Sequence, residues 1–360
     1  MTSAAAVLDP GATIGILGGG QLGRMLALAA ARLGFKCHVF APNPESAAFD
    51  VVHRVTCADY SDTAALDRFA NDVDLVTYEF ENVPAETAAF LAARVPVRPD
   101  QKVLAITQDR LAEKNFVSGL GIPTATFADV AAAAELPAAL HKVGFPAVVK
   151  TRRFGYDGKG QATVDHAGSA DAAWRAVGGV PCILEAYVPF ACEVSVVAAR
   201  AHDGAVECFD VTENEHQNHI LKISRVPARI SAQAAQNARA IAERIAHKFD
   251  YVGVLAVEMF VLREGGVLVN EIAPRVHNSG HWTLDGASIS QFEQHIRAVA
   301  GWPLGNPVRH GRVEMINLIG NEVEDFRAWL QIPGAAVHLY GKAAVRPGRK
   351  MGHVTRLFAD

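Results

Sequence analysis

Cysteine is scarce in this chain and scattered. Its five residues, Cys37, Cys57, Cys182, Cys192 and Cys208, never fall at the close spacing of a zinc or redox motif, so neither is expected. They read as buried thiols of a reducing cytoplasm. No apolar run approaches the length of a membrane span. The stretch Met1 to Gly11 has no basic residue and meets Asp9-Pro10 before a secretion signal could form. Surplus charge is missing as well: 34 basic against 38 acidic side chains leave a net charge of -4. No overall field therefore draws the chain to nucleic acid or to an anionic membrane, and any anionic ligand must be held by a local cluster.

What is present is a chain of 360 residues, half of them hydrophobic and a fifth charged, enough for two or three cores. The first hundred residues alternate as βαβ units. An apolar stretch begins at Thr13, an Ala/Leu-rich helix is predicted over 22–33, and a second strand begins at Cys37. A later strand from Asp74 ends in the polar residues Glu79, Glu81 and Asn82, where a doubly wound sheet places its ligand-facing loops. A helix over 109–120, stopped by Gly121-Ile122-Pro123, leads into a small unit. That unit holds a strand ending at Lys150, a glycine-dense loop from Gly155 to Gly160 and a strand running to Glu185. From Tyr187 onward antiparallel strands dominate. The predicted fold class is therefore α/β and α+β, with a Rossmann-like parallel-sheet domain over 1–110, a small domain over 111–186 and a C-terminal domain over 187–360.

Gly18, Gly20 and Gly23 satisfy G-x-G-x-x-G between a strand and a helix, so backbone N–H groups there could meet a phosphate. Tight strand–helix packing explains the same glycines. A nicotinamide site is disfavoured, because the second strand offers no acid until Glu45.

The clearest chemistry lies in a predicted hairpin whose arms carry Glu258 and Glu271. A two-residue turn at Glu264-Gly265 sets these two opposite one another, on one face and about 5 Å apart at Cβ. Two ionised carboxylates so close repel unless a cation lies between them. Magnesium suits the hard oxygen ligands, and Asn270 adds another.

Lys150, the loop Gly155 to Gln161, the segment Glu185 to Val188 and the Glu258/Asn270-Glu271 hairpin together resemble the ATP-grasp superfamily, in the same order. The longer runs Gly18 to Met25, Ala273 to Thr283, Gly286 to Glu293, Met315 to Gly320 and Arg346 to His353 resemble the 5-(carboxyamino)imidazole ribonucleotide synthase family. The resemblance covers nearly the whole chain. It implies an ATP-grasp fold and an ATP- and magnesium-dependent carboxylation of aminoimidazole ribonucleotide by bicarbonate, in purine synthesis and as a homodimer. Another acyl-phosphate ligase of the same fold, such as a formate-dependent glycinamide ribonucleotide transformylase, shares most of these features, and a non-catalytic nucleotide-binding module is the alternative outside enzymes.

By the same resemblance, Arg110 and Lys150 meet the ATP phosphates, and Gly155, Tyr156, Asp157, Gly158, Lys159, Gly160 and Gln161 close over them. Glu185, Ala186, Tyr187 and Val188 take the adenine, Glu193 the ribose, and His216 lies near the nucleotide. Glu258, Glu271 and Asn270 hold the metal. Arg275 and His277 face bicarbonate, with Lys159 and Asp157 assisting the chemistry. Gly20, Gln21, Leu22, Glu79, Asp157, Arg275, Asn278, Lys342, Arg349 and Lys350 are expected at the ribonucleotide, the last three basic residues at its phosphate.

Overall fold

The computed structural model describes residues 7–155 and 158–359. Three sheets organise them. The first is parallel, in the order β3-β2-β1-β4, from β1 (Thr13–Leu17), β2 (Lys36–Ala41), β3 (Arg54–Cys57) and β4 (Leu75–Tyr78). Its central strands are almost continuously apolar, as strands covered by helices on both faces must be. Helix α1 (Gln21–Arg32) follows β1 directly and buries Leu22, Met25, Leu26, Ala27 and Ala30.

The second sheet is antiparallel and small, ordered β5-β8-β6-β7 from β5 (Phe127–Val130), β6 (Ala147–Thr151), β7 (Gln161–Val164) and β8 (Cys182–Ala186). It has a core of its own, with Val149, Leu184 and Trp174. The third sheet is built from β9 (Phe190–Arg200), β10 (Val206–Cys208), β11 (Thr212–Gln217), β12 (Ile220–Val226), β13 (Gly253–Leu262), β14 (Val267–Ala273), β15 (Arg312–Ile319), β16 (Ala335–Leu339) and β17 (Lys350–Phe358). Eight of them run in the order β14-β13-β9-β11-β12-β15-β17-β16, and β10 pairs with β9.

The cores cross the expected domain limits in two places. Helix α2 (Arg110–Gly119) opens the expected small domain, yet Val117 and Ile122 sit in the same core as Leu255, Val257 and Val269 of the large sheet. The small unit's own core begins only at Ala128. The N-terminal sheet is not an independent body either. Met25 and Leu26 of α1 share one core with Phe292 and Ile296 of helix α4 (Gln291–Ala300), which follows helix α3 (Ala232–Lys248) in the large unit. His295 pins the two units together: its Nδ1 accepts the Val254 N–H at 3.1 Å and its Nε2 meets Thr77 Oγ1 at 2.7 Å. The thiols also depart from expectation, since Cys37 and Cys182 are buried whereas Cys57 is exposed. No helix among the described residues is long and apolar enough to cross a membrane.

Candidate functional site

Glu258 on β13 and Glu271 on β14 are register partners, as expected, but by a different route. The turn is a three-residue loop, Arg263 to Gly265, with Gly265 at φ +88 and the Gly265 N–H bonded to Leu262 O at 2.9 Å. That loop alone would offset the two acids by one residue. A bulge between Glu258 and Met259 takes up the difference and leaves Asn270 as the extra residue. Burial, then the charge of Glu271, holds Glu258 well above the ordinary carboxylate range. Burial acts on Glu271 in the same direction but is outweighed by Arg110 and Lys150, so Glu271 is lowered.

β14 is an edge strand, and α2 covers it. Arg110 Nη1 lies 3.0 Å from Glu271 Oε2, Glu113 accepts the Ile272 N–H at 2.7 Å, and Lys114 Nζ donates to Val269 O at 3.3 Å. Positions i, i+3 and i+4 share one face of a helix, so a single face meets both the N–H and C=O groups of the edge. Lys114 also lies 3.6 Å from Glu185 Oε1, while Lys150 holds Glu185 Oε2 at 2.8 Å. Burial would raise the Glu185 carboxyl, but the two lysines pull it down to about 2. Lys114, with a side chain only 1% exposed, was absent from the sequence-based set. Its spacing of four from Arg110 was the available signal. Glu113, three residues from Arg110 on the same face, was absent too.

The other expected residues are placed as follows. Glu185 directs its side chain at lysines, so any adenine contact from this segment is left to the backbone around Ala186, Tyr187 and Val188, in the connection from β8 to β9. Glu193 pairs with His216 Nδ1, which brings the two expected nucleotide residues together. Burial lowers His216, but the Glu193 hydrogen bond and charge outweigh it and the imidazole is raised. In the glycine loop, Gly155, Gly158, Lys159, Gly160 and Gln161 run back into β7, and a Cβ on Gly158 would lie 2.5 Å from His219 at the β11–β12 tip. Tyr156 and Asp157 lie outside the described residues.

Arg275 and His277 take different protein partners. The Arg275 guanidinium grips Glu81 through Nε and Nη2, the latter at 2.7 Å from Oε1, and Nη1 donates to Val276 O at 3.0 Å. Donors remain on both terminal nitrogens. His277 instead sets Nε2 3.3 Å from Glu258 Oε1 and Nδ1 2.9 Å from Ser279 Oγ. Burial, then Arg275, keeps its imidazole well below the ordinary range. Asn278 is buried and bonded reciprocally to Asn317 at 2.9 and 2.8 Å, so its amide is internally satisfied. Lys342 Nζ donates to Lys350 O at 2.6 Å and Arg349 Nη1 to Ala344 O at 2.8 Å, which gathers the three expected cations on the segment entering β17.

The loop at Gly18 to Gly23 meets Glu79, which was expected beside it. Its N–H groups at Gly20 and Gly23 are already accepted by the Glu79 carboxylate, at 2.8 and 3.1 Å. Leu22 faces the core and Gln21 opens the helix, so an anion binding through the Gly20 and Gly23 N–H groups would compete with Glu79.

A divalent cation suits the hairpin. The donors are hard oxygens from two carboxylates, and Asn270 Oδ1 is buried without a hydrogen-bond partner. Among the described residues no group of three or more His, Cys, Asp or Glu is arranged to hold a metal ion. Two protein carboxylates with an amide oxygen leave coordination positions for ligand oxygens, the habit of magnesium at phosphate sites.

Known proteins share this architecture. Residues 11–108 match a ribonucleotide synthetase preATP-grasp domain, 115–292 an ATP-grasp domain and 314–360 a phosphoribosylaminoimidazole carboxylase C-terminal domain. The N5-carboxyaminoimidazole ribonucleotide synthase of Brucella melitensis is 51% identical over 353 residues, covering 97% of each chain. The crystal structure of the Thermus thermophilus synthetase of that name superimposes with a TM-score of 0.90 at 48% identity, over 96% of this chain and 94% of that one. An Aspergillus clavatus synthase in complex with ADP and 5-aminoimidazole ribonucleotide superimposes with a TM-score of 0.91 at 30% identity, over 97% and 94%. With three domain matches in order and a relative 51% identical over nearly its whole length, this chain belongs to the N5-carboxyaminoimidazole ribonucleotide synthase family of ATP-grasp enzymes.

Proposed function

We propose that the chain joins bicarbonate to the exocyclic amine of 5-aminoimidazole ribonucleotide, with ATP becoming ADP and phosphate, in purine biosynthesis. The observation that carries this reading is Glu258 facing Glu271, with Arg110 and Lys150 acting on Glu271 and the unpartnered Asn270 Oδ1 in the adjoining bulge. Acids able to hold magnesium thus lie against cations able to hold phosphates. Bicarbonate is a poor electrophile, and phosphorylating it to carboxyphosphate supplies a leaving group for attack by the amine.

In this reading Arg110 and Lys150 exchange their carboxylate partners for phosphate oxygens and stabilise the charge that shifts as the terminal phosphoryl moves. When bound, magnesium offsets phosphate charge during that transfer. The loop Gly155 to Gly160 excludes water by closing over the triphosphate, and the segment Glu185 to Val188 receives adenine. Arg275, held by Glu81, offers its remaining donors to bicarbonate, a planar anion matched to the guanidinium fork. Lys342, Arg349 and Lys350 take the ribonucleotide phosphate. The protein works as a homodimer in the cytoplasm, without nucleic-acid or membrane partners.

ADP release with each substrate omitted in turn tests the reading. It is expected to need ATP, magnesium, bicarbonate and aminoimidazole ribonucleotide together. Turnover with formate and glycinamide ribonucleotide, and none with the expected pair, would replace it.

A further inference from the structure

A line of buried polar side chains runs beneath the site, across three neighbouring strands. Ser224 on β12 donates to Asn214 Oδ1 at 2.9 Å, and these two are register partners. Asn214 Nδ2 donates to Ser195 Oγ at 3.0 Å, and Ser195 Oγ donates to Ser279 Oγ at 2.7 Å. Ser279 Oγ lies 2.9 Å from His277 Nδ1. Ser195, Ser224 and Ser279 are fully buried and Asn214 nearly so.

The polarity of this line is fixed at its end. The backbone N–H of Ser279, which can only donate, points at His277 Nδ1 at 3.3 Å. Ser279 Oγ accepts from Ser195, which leaves its own proton to turn toward the same nitrogen. Two donors therefore meet Nδ1, and the ring proton must sit on Nε2, the nitrogen facing Glu258. Gln291 fixes the backbone of His277 from the other side, accepting its N–H at 2.9 Å and donating to its C=O at 2.7 Å.

We propose that the buried line Ser224, Asn214, Ser195 and Ser279 locks His277 as the Nε2–H tautomer, so that Ser195 and Asn214 are positioning residues and His277 donates a hydrogen bond to the anionic reactant instead of acting as its base. The choice of anion rests on the proposed carboxylation. The tautomer does not. A ring whose Nδ1 is already served by two donors has no lone pair on Nε2 with which to take the amine proton. It presents one N–H, suited to a bicarbonate or carboxyphosphate oxygen.

Histidine-selective 15N NMR of the full chain decides the point, with the His277 signals identified by their loss in His277→Gln. An unprotonated Nδ1 and a protonated Nε2 are expected. Ser195→Ala and Asn214→Asp should lower kcat roughly tenfold, the usual effect of removing an outer hydrogen-bond partner. KM for ATP should hold, and Ser195→Thr should restore the rate. A His277 protonated on Nδ1, or full kcat in both variants, overturns the inference. If the variants do not fold, the spectrum of the unmodified chain still decides. Absence of bicarbonate-dependent turnover in that chain would instead overturn the carboxylation reading.

Discussion

Glu79, just beyond the end of β4, accepts the backbone N–H of Gly20 at 2.8 Å. The glycine loop therefore closes on a carboxylate from its own sheet. A helix N-terminus attracts anions because its first N–H groups lack partners, and here an internal anion supplies one. The glycines are needed for the approach: a Cβ on Gly18 would lie 2.6 Å from Glu79 Oε1, and Gly18 already has φ +105.

Gly18→Ala is accordingly expected to destabilise the protein by about 1–3 kcal/mol through the strained φ and the clash. Glu79→Gln, which keeps one acceptor and turns the other into a donor facing an N–H, should lose a similar amount, about 1–3 kcal/mol. Urea unfolding measures both. Unchanged midpoints would mean that the carboxylate does not hold the loop.

Lys114→Met removes a cation from a side chain that is 1% exposed and leaves Glu185 with Lys150 alone. Breaking a buried pair in this way costs about 3–5 kcal/mol. Thermal unfolding should show it as a clear fall in Tm. A change within about 0.5 kcal/mol, typical of a surface site, would refute the buried contact.

Acid sensitivity follows from two groups of opposite charge type. Glu185 is depressed from 4.5 to about 2, so it contributes stability above pH 4.5 that is lost as pH falls toward 2. His295 is lowered by burial from 6.5 to about 3. The unfolded chain takes up its proton first, so this contribution is full above pH 6.5 and is lost as pH falls toward 3. Glu185→Gln and His295→Gln should each flatten stability against pH within their own window. Curves parallel to that of the unmodified protein would contradict the assigned environments.

Glu271→Gln is expected to keep the fold, as judged by circular dichroism, because the amide still fits opposite Glu258. Magnesium-dependent ADP release should fall by roughly 100-fold or more as one charged metal ligand is lost. Full activity in this variant would rule out a metal role for Glu271.

The sequence alone carried the order of elements and the identity of the paired acids. Alternation of apolar and polar residues marks a strand whatever surrounds it, and Glu258 and Glu271 stand in apolar runs where a solvated acid has no place. Lys150 at the end of β6 was legible on the same grounds. What tertiary structure decided was which charges meet. The one-residue bulge at Asn270 rescued a register that the turn would have broken, and a bulge leaves no periodic trace in the sequence. Lys114 looks like any helix-surface lysine until α2 lies along the edge of β14, and Arg275 finds Glu81 across 194 positions of chain. Side-chain pairing over such distances depends on how three sheets pack, and packing is a property of the folded whole.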